Sequence, residues 1–166
     1  MIVRYICFLL ACLLCAACKP STTEVSITGY NHMQRVPIAF FSVNGVRGSN
    51  VGAEGGGKES CCVGIPAQWR PGMKVKDAWE YDAYQDDQNP PLPPQVLEVD
   101  VPEYKKASVV QVHFYAGHKV KVLVSPCSPE HVLYPMSKQD LLPWFALATK
   151  EETLAAGQRG GVVDEC

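Results

Sequence analysis

Short apolar runs, several of them alternating with polar residues, dominate the chain and are typical of β-strands. We predict strands over residues 25–28, 38–43, 73–81, 96–101, 109–115 and 119–124. Residues 38–43 are apolar on both faces, which indicates a buried central strand, and Asn44-Gly45 directly after them is a strong turn signal. Asp77 is the one break in the alternation of its strand.

One helix is predicted, near the C-terminus. Ser137 and Asp140 have the spacing of a capping box, and Pro143 fits the first turn of the helix that follows. Apolar residues then keep helical spacing until Gly157. Together the elements predict a mainly β fold, a small antiparallel β-sandwich or partly open barrel with one C-terminal helix.

Residues 52–72 are the least regular stretch, with five glycines among the first thirteen residues. Glycine loses much chain entropy on ordering and proline donates no hydrogen bond, so we expect a shaped loop. The first seven positions of a phosphate-binding loop match, but Glu59 stands where a Ser or Thr must hold magnesium. Residues 61–66 are strand-like rather than helical, so no nucleotide site is predicted.

Composition and charge limit the classes of protein to which this chain can belong. The 166 residues are 47% hydrophobic and carry a formal net charge of -2, which fits one globular domain. That balance is not basic enough for a nucleic-acid-binding protein. We therefore expect a single β-rich periplasmic domain over residues 25–166 without a nucleic-acid partner.

The N-terminus has the pattern of a secretory signal. A basic residue precedes a ten-residue apolar core and small residues lead to Cys18, so residues 1–17 are predicted to be a cleaved signal peptide. The ending resembles a bacterial lipobox, whose cysteine carries acyl chains such as palmitate, and residues 18–24 would then tether the domain to the membrane. Cys12 as the lipidated residue, or an ordinary signal peptide, is the alternative. Lys19 after the cysteine favours the outer membrane.

Four further cysteines are candidates for disulfides, and these are Cys61, Cys62, Cys127 and Cys166. In an oxidising compartment an even set indicates disulfides, here with three possible pairings. A direct Cys61–Cys62 bond needs a strained small ring, and neighbours in a strand point to opposite faces. We therefore expect each of the two to have a separate partner. Free buried thiols are the alternative.

Catalytic and metal sites have weak support in the sequence. A nucleophile would need one of the adjacent cysteines beside a histidine and an orienting third group. Zinc could use Cys127 with His131, but that pair is half a site. His113 and His118 are expected to be solvated. We predict no catalytic residue, no cofactor and no metal.

Two segments are candidates for binding a partner. Trp69 and Arg70 lie between prolines, and tryptophan and arginine dominate interface hot spots. Packing of the indole over the end of the sandwich is the alternative. Asp86 and Asp87 lie in an exposed, proline-rich connection, a kind of segment that is usually only a linker.

Several rare dipeptides in a fixed order resemble a family of bacterial lipoproteins grouped as domain of unknown function 3304. They are Tyr30-Asn31-His32, Val43-Asn44-Gly45, Gly55-Gly56-Gly57, Cys61-Cys62, Pro66-x-x-Trp69-x-Pro71-Gly72 and Trp79. Members of that family occur beside phospholipase effectors of type VI secretion, where they serve as periplasmic immunity proteins. The resemblance implies the same role for this chain.

The expected function is therefore that of a non-enzymatic, lipid-anchored periplasmic protein that binds and neutralises a secreted lipase-type effector. An immunity protein needs a rigid surface that covers about 1,600 Å² of the two partners. A structural lipoprotein of an envelope or secretion assembly is the second hypothesis. A thiol- or metal-dependent envelope enzyme is the third.

Overall fold

Two β-sheets account for most of the structure, a computed structural model that describes residues 21–82, 92–131 and 133–141. The strands and the helix are β1 (Thr22–Asn31), β2 (Ile38–Val43), β3 (Val46–Arg47), β4 (Gly55–Gly56), β5 (Ser60–Pro66), β6 (Lys74–Tyr81), β7 (Gln95–Asp100), β8 (Val110–Tyr115), β9 (Lys119–Val124) and α1 (Lys138–Leu141). Other predictions lie outside the described residues, namely the signal peptide, Cys18, Asp86, Asp87, Pro143 and Cys166.

The two sheets pack face to face. Sheet A has the strand order β4-β1-β8-β9 with β5 also paired to β1, and sheet B has the order β3-β2-β6-β7. Phe114 of β8 contacts Phe41 of β2 and Trp79 of β6, with ring centroids 5.5 and 5.7 Å apart. The described chain is thus a mainly β sandwich without a closed barrel, with one short helix near the C-terminus. This confirms the predicted mainly β fold class, although β1 and β8 pair in parallel and not antiparallel as predicted.

The hairpin turn after β2 is as predicted. Asn44 and Gly45 both have positive φ, 50° and 84°, which is what a two-residue turn between strands requires. The side-chain oxygen of Asn44 also accepts a hydrogen bond from the main-chain N–H of Lys76 (2.9 Å). The turn is therefore tied to β6 as well as to its own hairpin.

Residues 52–72 are a loop only in part. β5 is a strand that pairs with β1 from Pro66 back to Ser60, with one shift of register at residues 61 and 62. Val63 and Ile65 of β5 are both buried in the core between the sheets. Their burial offsets the cost of ordering the neighbouring glycine, so tertiary packing overrides local propensity here.

Sheet A is buried on its outer face too. The chain after β9 returns across that face and forms a second apolar cluster, which contains Leu123, Cys127, Tyr134 and Leu141. Beneath it, Gln111 and His113 of β8 are almost completely buried. The expectation that His113 is solvated is therefore wrong, because strand alternation does not reveal whether another segment covers the polar face.

The ring of Phe41 lies directly against the main chain at Gly48. A Cβ atom built at Gly48 would come within 2.2 Å of that ring. The main-chain N–H of Gly48 also donates to the carbonyl of Phe41 (2.8 Å). The aromatic core therefore depends on the missing side chain at this position.

Gly48→Ala is expected to lower the free energy of unfolding by about 1–3 kcal/mol, because overpacking displaces the ring or the main chain. Gly52→Ala is the matched control, since nothing lies within 4 Å of a Cβ there, and it should change stability by less than about 0.5 kcal/mol. Urea unfolding of the three proteins measures both effects. Equal losses in the two variants would contradict this account.

Asp77 is a carboxyl group inside the core. It lies between Val75 and Trp79 along the buried face of β6 and pairs with Leu97 of β7. Its side chain is completely buried, and neither oxygen accepts a well-formed hydrogen bond within the described structure. Burial raises the pKa of Asp77 to about 7, and the main-chain N–H of Ala78 offsets only part of that rise.

The titration of Asp77 predicts a loss of stability as the pH rises. The folded pKa of about 7 exceeds the ordinary 3.8, so the folded state binds more protons between about pH 4 and pH 7. The associated decline is on the order of 4 kcal/mol. Asp77→Asn removes that titration. In urea unfolding from about pH 4 to pH 7, the free energy of unfolding of the wild type should therefore fall relative to that of Asp77→Asn. A pH-independent difference would refute the assignment.

Candidate functional site

The strand ends at one end of the sandwich surround an open cleft of about 610 Å³. β1 leads into it at His32, β6 ends in it at Tyr81, and the turn between β8 and β9 contributes His118. The remaining lining residues are Met33, Gln34, Arg35, Val36, Leu92, Ala116 and Gly117. The cleft therefore combines an apolar floor with histidine, tyrosine and arginine side chains.

Asn31 holds the wall of this cleft in place. Its side-chain nitrogen donates to the carbonyls of Val36 (2.8 Å) and Gly52 (3.1 Å), and its oxygen accepts from the N–H of Met33 (3.0 Å). Asn31 is completely buried. Because these bonds are shielded from water, they fix both the turn after β1 and the start of the glycine-rich segment.

A buried chain of hydrogen bonds leads from the cleft into sheet A. His32 Nε2 lies 2.9 Å from His113 Nδ1, and His113 Nε2 lies 2.6 Å from the Tyr134 hydroxyl. The Tyr134 hydroxyl in turn donates to Gln111 Oε1 over 2.7 Å. The Nε2 of Gln111 donates to the carbonyls of Ser125 and Cys127.

Gln111 sets the direction of every proton in this chain. Its nitrogen faces two carbonyls, so its oxygen must face Tyr134, and the single hydroxyl proton of Tyr134 is used there. His113 Nε2 must then carry a proton and donate to Tyr134. His113 Nδ1 is left as an acceptor, and His32 Nε2 donates to it.

The buried imidazole of His113 stays neutral. Burial, with a smaller contribution from the neighbouring His32, lowers its pKa to about 3. Burial also raises the pKa of Tyr30 to about 12, and Tyr30 stacks on His113 at 5.0 Å. His113 and Tyr134 are therefore neutral at neutral pH, since burial also raises the pKa of Tyr134, and they act as a fixed hydrogen-bonded pair rather than as a charged acid–base pair.

Aromatic contacts fix the two histidines at the cleft itself. The His32 ring stacks on Tyr115 with centroids 4.4 Å apart and planes 10° apart. His118 Nδ1 lies 2.9 Å from the Tyr81 hydroxyl. His118 was expected to be solvated. It is half-buried and its ring nitrogen is bonded to Tyr81, so that expectation is only partly right.

The predicted separate pairing of the adjacent cysteines is wrong. Cys61 and Cys62 form a disulfide with each other. They sit where two residues of β5 oppose one residue of β1, a β-bulge between the pairs Ile27↔Ser60 and Val25↔Val63. Neighbours at a bulge need not point to opposite faces as in a regular strand, and the sequence argument depended on that rule.

The other candidate residues are spread over the molecule. Cys127 is disulfide-bonded, which removes it as a thiolate ligand for zinc with His131. Trp69 is half-buried, and its Nε1 donates to the carbonyl of Val101 (2.8 Å), while Arg70 beside it is exposed. Trp69 and Arg70 lie at the start of β1, whereas the cleft lies at its end. In the described part of the chain no group of three or more His, Cys, Asp and Glu could hold a metal ion.

Comparison with known proteins identifies a family. A family profile described as "Protein of unknown function (DUF3304)" matches residues 30–122, more than half of the chain. The chain belongs to the DUF3304 family. No curated protein and no solved structure matches it significantly. The DUF3304 region contains His32, His113 and the Cys61–Cys62 disulfide, and it ends before Tyr134. Among the described residues, no helix has the length and hydropathy needed to cross a membrane.

Sequence reasoning missed the buried network of this DUF3304 chain, although β8 carried a signal. Gln111, His113 and Tyr115 form one face of that strand, and none of them is charged. The neighbouring strand β9 instead exposes Lys119 and Lys121. An uncharged polar face next to a lysine-bearing strand indicates that another segment covers it, and here Tyr134 does so.

Tyr134→Phe is expected to lower the free energy of unfolding by about 2–4 kcal/mol, because it leaves buried atoms of His113 and Gln111 without a partner. Tyr115→Phe is the control, since its hydroxyl donates to the carbonyl of Asp140 at a half-buried site, and it should cost about 0.5–1.5 kcal/mol. Urea unfolding measures both, and nitrogen-15 NMR should place the wild-type His113 proton on Nε2. A proton on Nδ1, or equal losses in the two variants, would show that the network is misassigned.

Proposed function

We propose that this chain is a non-catalytic, lipid-anchored protein of the periplasm that binds and neutralises a secreted lipase-type effector. Family membership motivates the proposal, since the sequence motifs resemble immunity lipoproteins. The single observation that carries it is the exposed apolar pair Val96 and Leu97 on strand β7, whose other side pairs with no strand among the described residues. A protein that blocks an enzyme by covering it needs such a surface and no catalytic group of its own.

Strand β7 is an edge strand whose first three residues carry no charge, whereas Glu98 and Asp100 further along it are charged. It pairs with β6, and within the described residues no strand pairs with its other side. Val96 is 58% exposed and Leu97 is 41% exposed. Natural sheets protect edges with charges, prolines or covering segments, because an open edge invites pairing with another chain. An apolar edge of this kind favours a bound partner.

Charged residues border the apolar part of β7. Lys74 and Asp100 form an ion pair across β6 and β7 (3.4 Å), and Lys76 pairs in register with Glu98. An apolar centre with a polar rim is the usual anatomy of a protein interface. These exposed charges contribute more to orientation and association rate than to affinity.

A lipid anchor at Cys18 would determine which end of the sandwich faces the membrane. Ser21 accepts a hydrogen bond from the N–H of Ala67 (2.9 Å), so the tether enters beside Trp69 and Arg70. Two residues, Lys19 and Pro20, lie between Cys18 and Ser21, so three Cα-to-Cα steps span at most about 11 Å. β1 then runs ten residues, roughly 33 Å, toward the cleft. Trp69 and Arg70 would lie near the bilayer, where a lipase works.

In this orientation Trp69 has a shaping role. Its indole bonds to Val101 directly after β7, and it packs against the core, so it is not a protruding anchor. Arg70 is the exposed member of the pair. The β7 edge and the Arg70 corner together are the surface that we propose for the effector.

Leu97→Arg and Val96→Arg are expected to weaken effector binding by at least about tenfold, which is about 1.4 kcal/mol, because a charge would enter the apolar centre of the interface. Leu133→Arg is the matched control: Leu133 is equally exposed at 57% but belongs to the segment that covers sheet A. Calorimetry with a purified lipase-type effector of type VI secretion measures the affinities.

Survival assays with the same effector directed to the periplasm provide the cellular test. The wild type and Leu133→Arg should protect the cells, whereas the β7 variants should not. If cells die equally with and without the wild-type protein, the proposed function is wrong. If all the variants protect equally, the β7 edge is not the interface.

A further inference from the structure

The Cys61–Cys62 disulfide does not stabilise the fold in the way that ordinary disulfides do. A cross-link stabilises mainly by closing a loop of the unfolded chain, and the effect grows with loop length. Cys61 and Cys62 are one residue apart, so their bond closes no loop. The role of this disulfide must therefore lie in its chemistry rather than in cross-linking.

Other contacts hold strand β5 in place. Val63 and Ile65, directly after the disulfide, are both 1% exposed. A slip by one residue would turn both side chains to the solvent, so the register is fixed by their burial. The pairing of β5 with β1 also continues from Val63 to Pro66. The strand should therefore keep its position when the disulfide is open.

The disulfide is also accessible. Cys61 is exposed and Cys62 is half-buried, and β5 is paired on one side with β1 at an edge of sheet A. Cys127, the other described cysteine in a disulfide, is only 4% exposed. Exposed disulfides are the class that exchanges with thiols, whereas shielded ones are inert.

We infer that Cys61–Cys62 is a reversible redox site that exchanges with a dithiol reductant. A thiolate of the dithiol attacks Cys61 Sγ, forms a mixed disulfide and expels Cys62 Sγ as a thiolate, which takes a proton from water. The second thiol of the reductant, as a thiolate, then attacks its own mixed-disulfide sulfur and releases Cys61. Two electrons and two protons pass to the pair, and the reductant becomes a disulfide. This inference is independent of the proposed effector binding.

Treatment of the folded, purified protein with dithiothreitol, followed by alkylation and mass spectrometry, tests the inference. The peptide that contains Cys61 and Cys62 should gain two alkyl groups at least about a hundredfold faster than Cys127 is alkylated. The circular dichroism of the sheets should not change, and removal of the reductant under mild oxidant should restore the same bond. Reduction of the pair only in urea, or at the same rate as Cys127, would overturn the site.

Two single variants separate an exchange site from a merely exposed bond. Cys62→Ser leaves Cys61 as an exposed thiol, and it should form a mixed disulfide with glutathione disulfide at least about tenfold faster than the matched variant Cys61→Ser, whose thiol is half-buried. Equal rates would contradict attack at Cys61. If neither variant folds, peptide mapping of the wild type still decides, because cysteines 61 and 62 bonded to other cysteines would rule out the site.

Discussion

The hydroxyl of Tyr134 attaches the chain after β9 to the outer face of sheet A, and this chain buries that face. It accepts a hydrogen bond from His113 and donates one to Gln111, and no water competes with either bond. The chain after β9 is held against the sheet by these bonds and by the cluster around Leu141. The inner face of the same sheet packs against the aromatic residues of sheet B. The central strands therefore have no face left for a partner.

The burial of both faces of sheet A leaves its edges and strand ends for chemistry and binding, while sheet B keeps an outer face with exposed Lys76 and Glu80. The edge of the sheet at β7 carries the exposed Val96 and Leu97, and the edge at β5 carries the Cys61–Cys62 disulfide. The cleft lies at one end of β1, and the Arg70 corner with Trp69 lies at the other. The margins on β1 and β5 lie on strands whose inner residues are buried in the core, whereas β7 contributes only the partly buried Val99. Such surfaces are pre-organised, which lowers the entropy cost of binding or reaction.

The candidate site could be predicted from the sequence only where its chemistry was local. The cysteines were recognised as disulfide-forming, but the pairing of Cys61 with Cys62 depends on a bulge that forms only when β5 pairs with β1. The uncharged polar face of β8 hinted that another segment covers it, but the partner Tyr134 could not be identified, because it lies in a distant segment with no periodic pattern. Asp77 breaks the alternation of polar and apolar residues in the sequence of β6. It is nevertheless buried, because β6 keeps its register with β7 through this position.

The sequence by itself determined six of the nine described strands, the Asn44-Gly45 turn and the mainly β class, because alternation and turn chemistry act over a few neighbouring residues. Strands β3, β4 and β5 were not among the predicted strands, because they depend on pairing with other strands. It also carried the motifs that mark the DUF3304 family. Only the tertiary structure decided which polar residues are buried, which cysteines meet and which edges stay open. Those outcomes depend on contacts between residues that are far apart in the chain, such as His32 and His113. A local sequence pattern carries no information about the energies of such contacts.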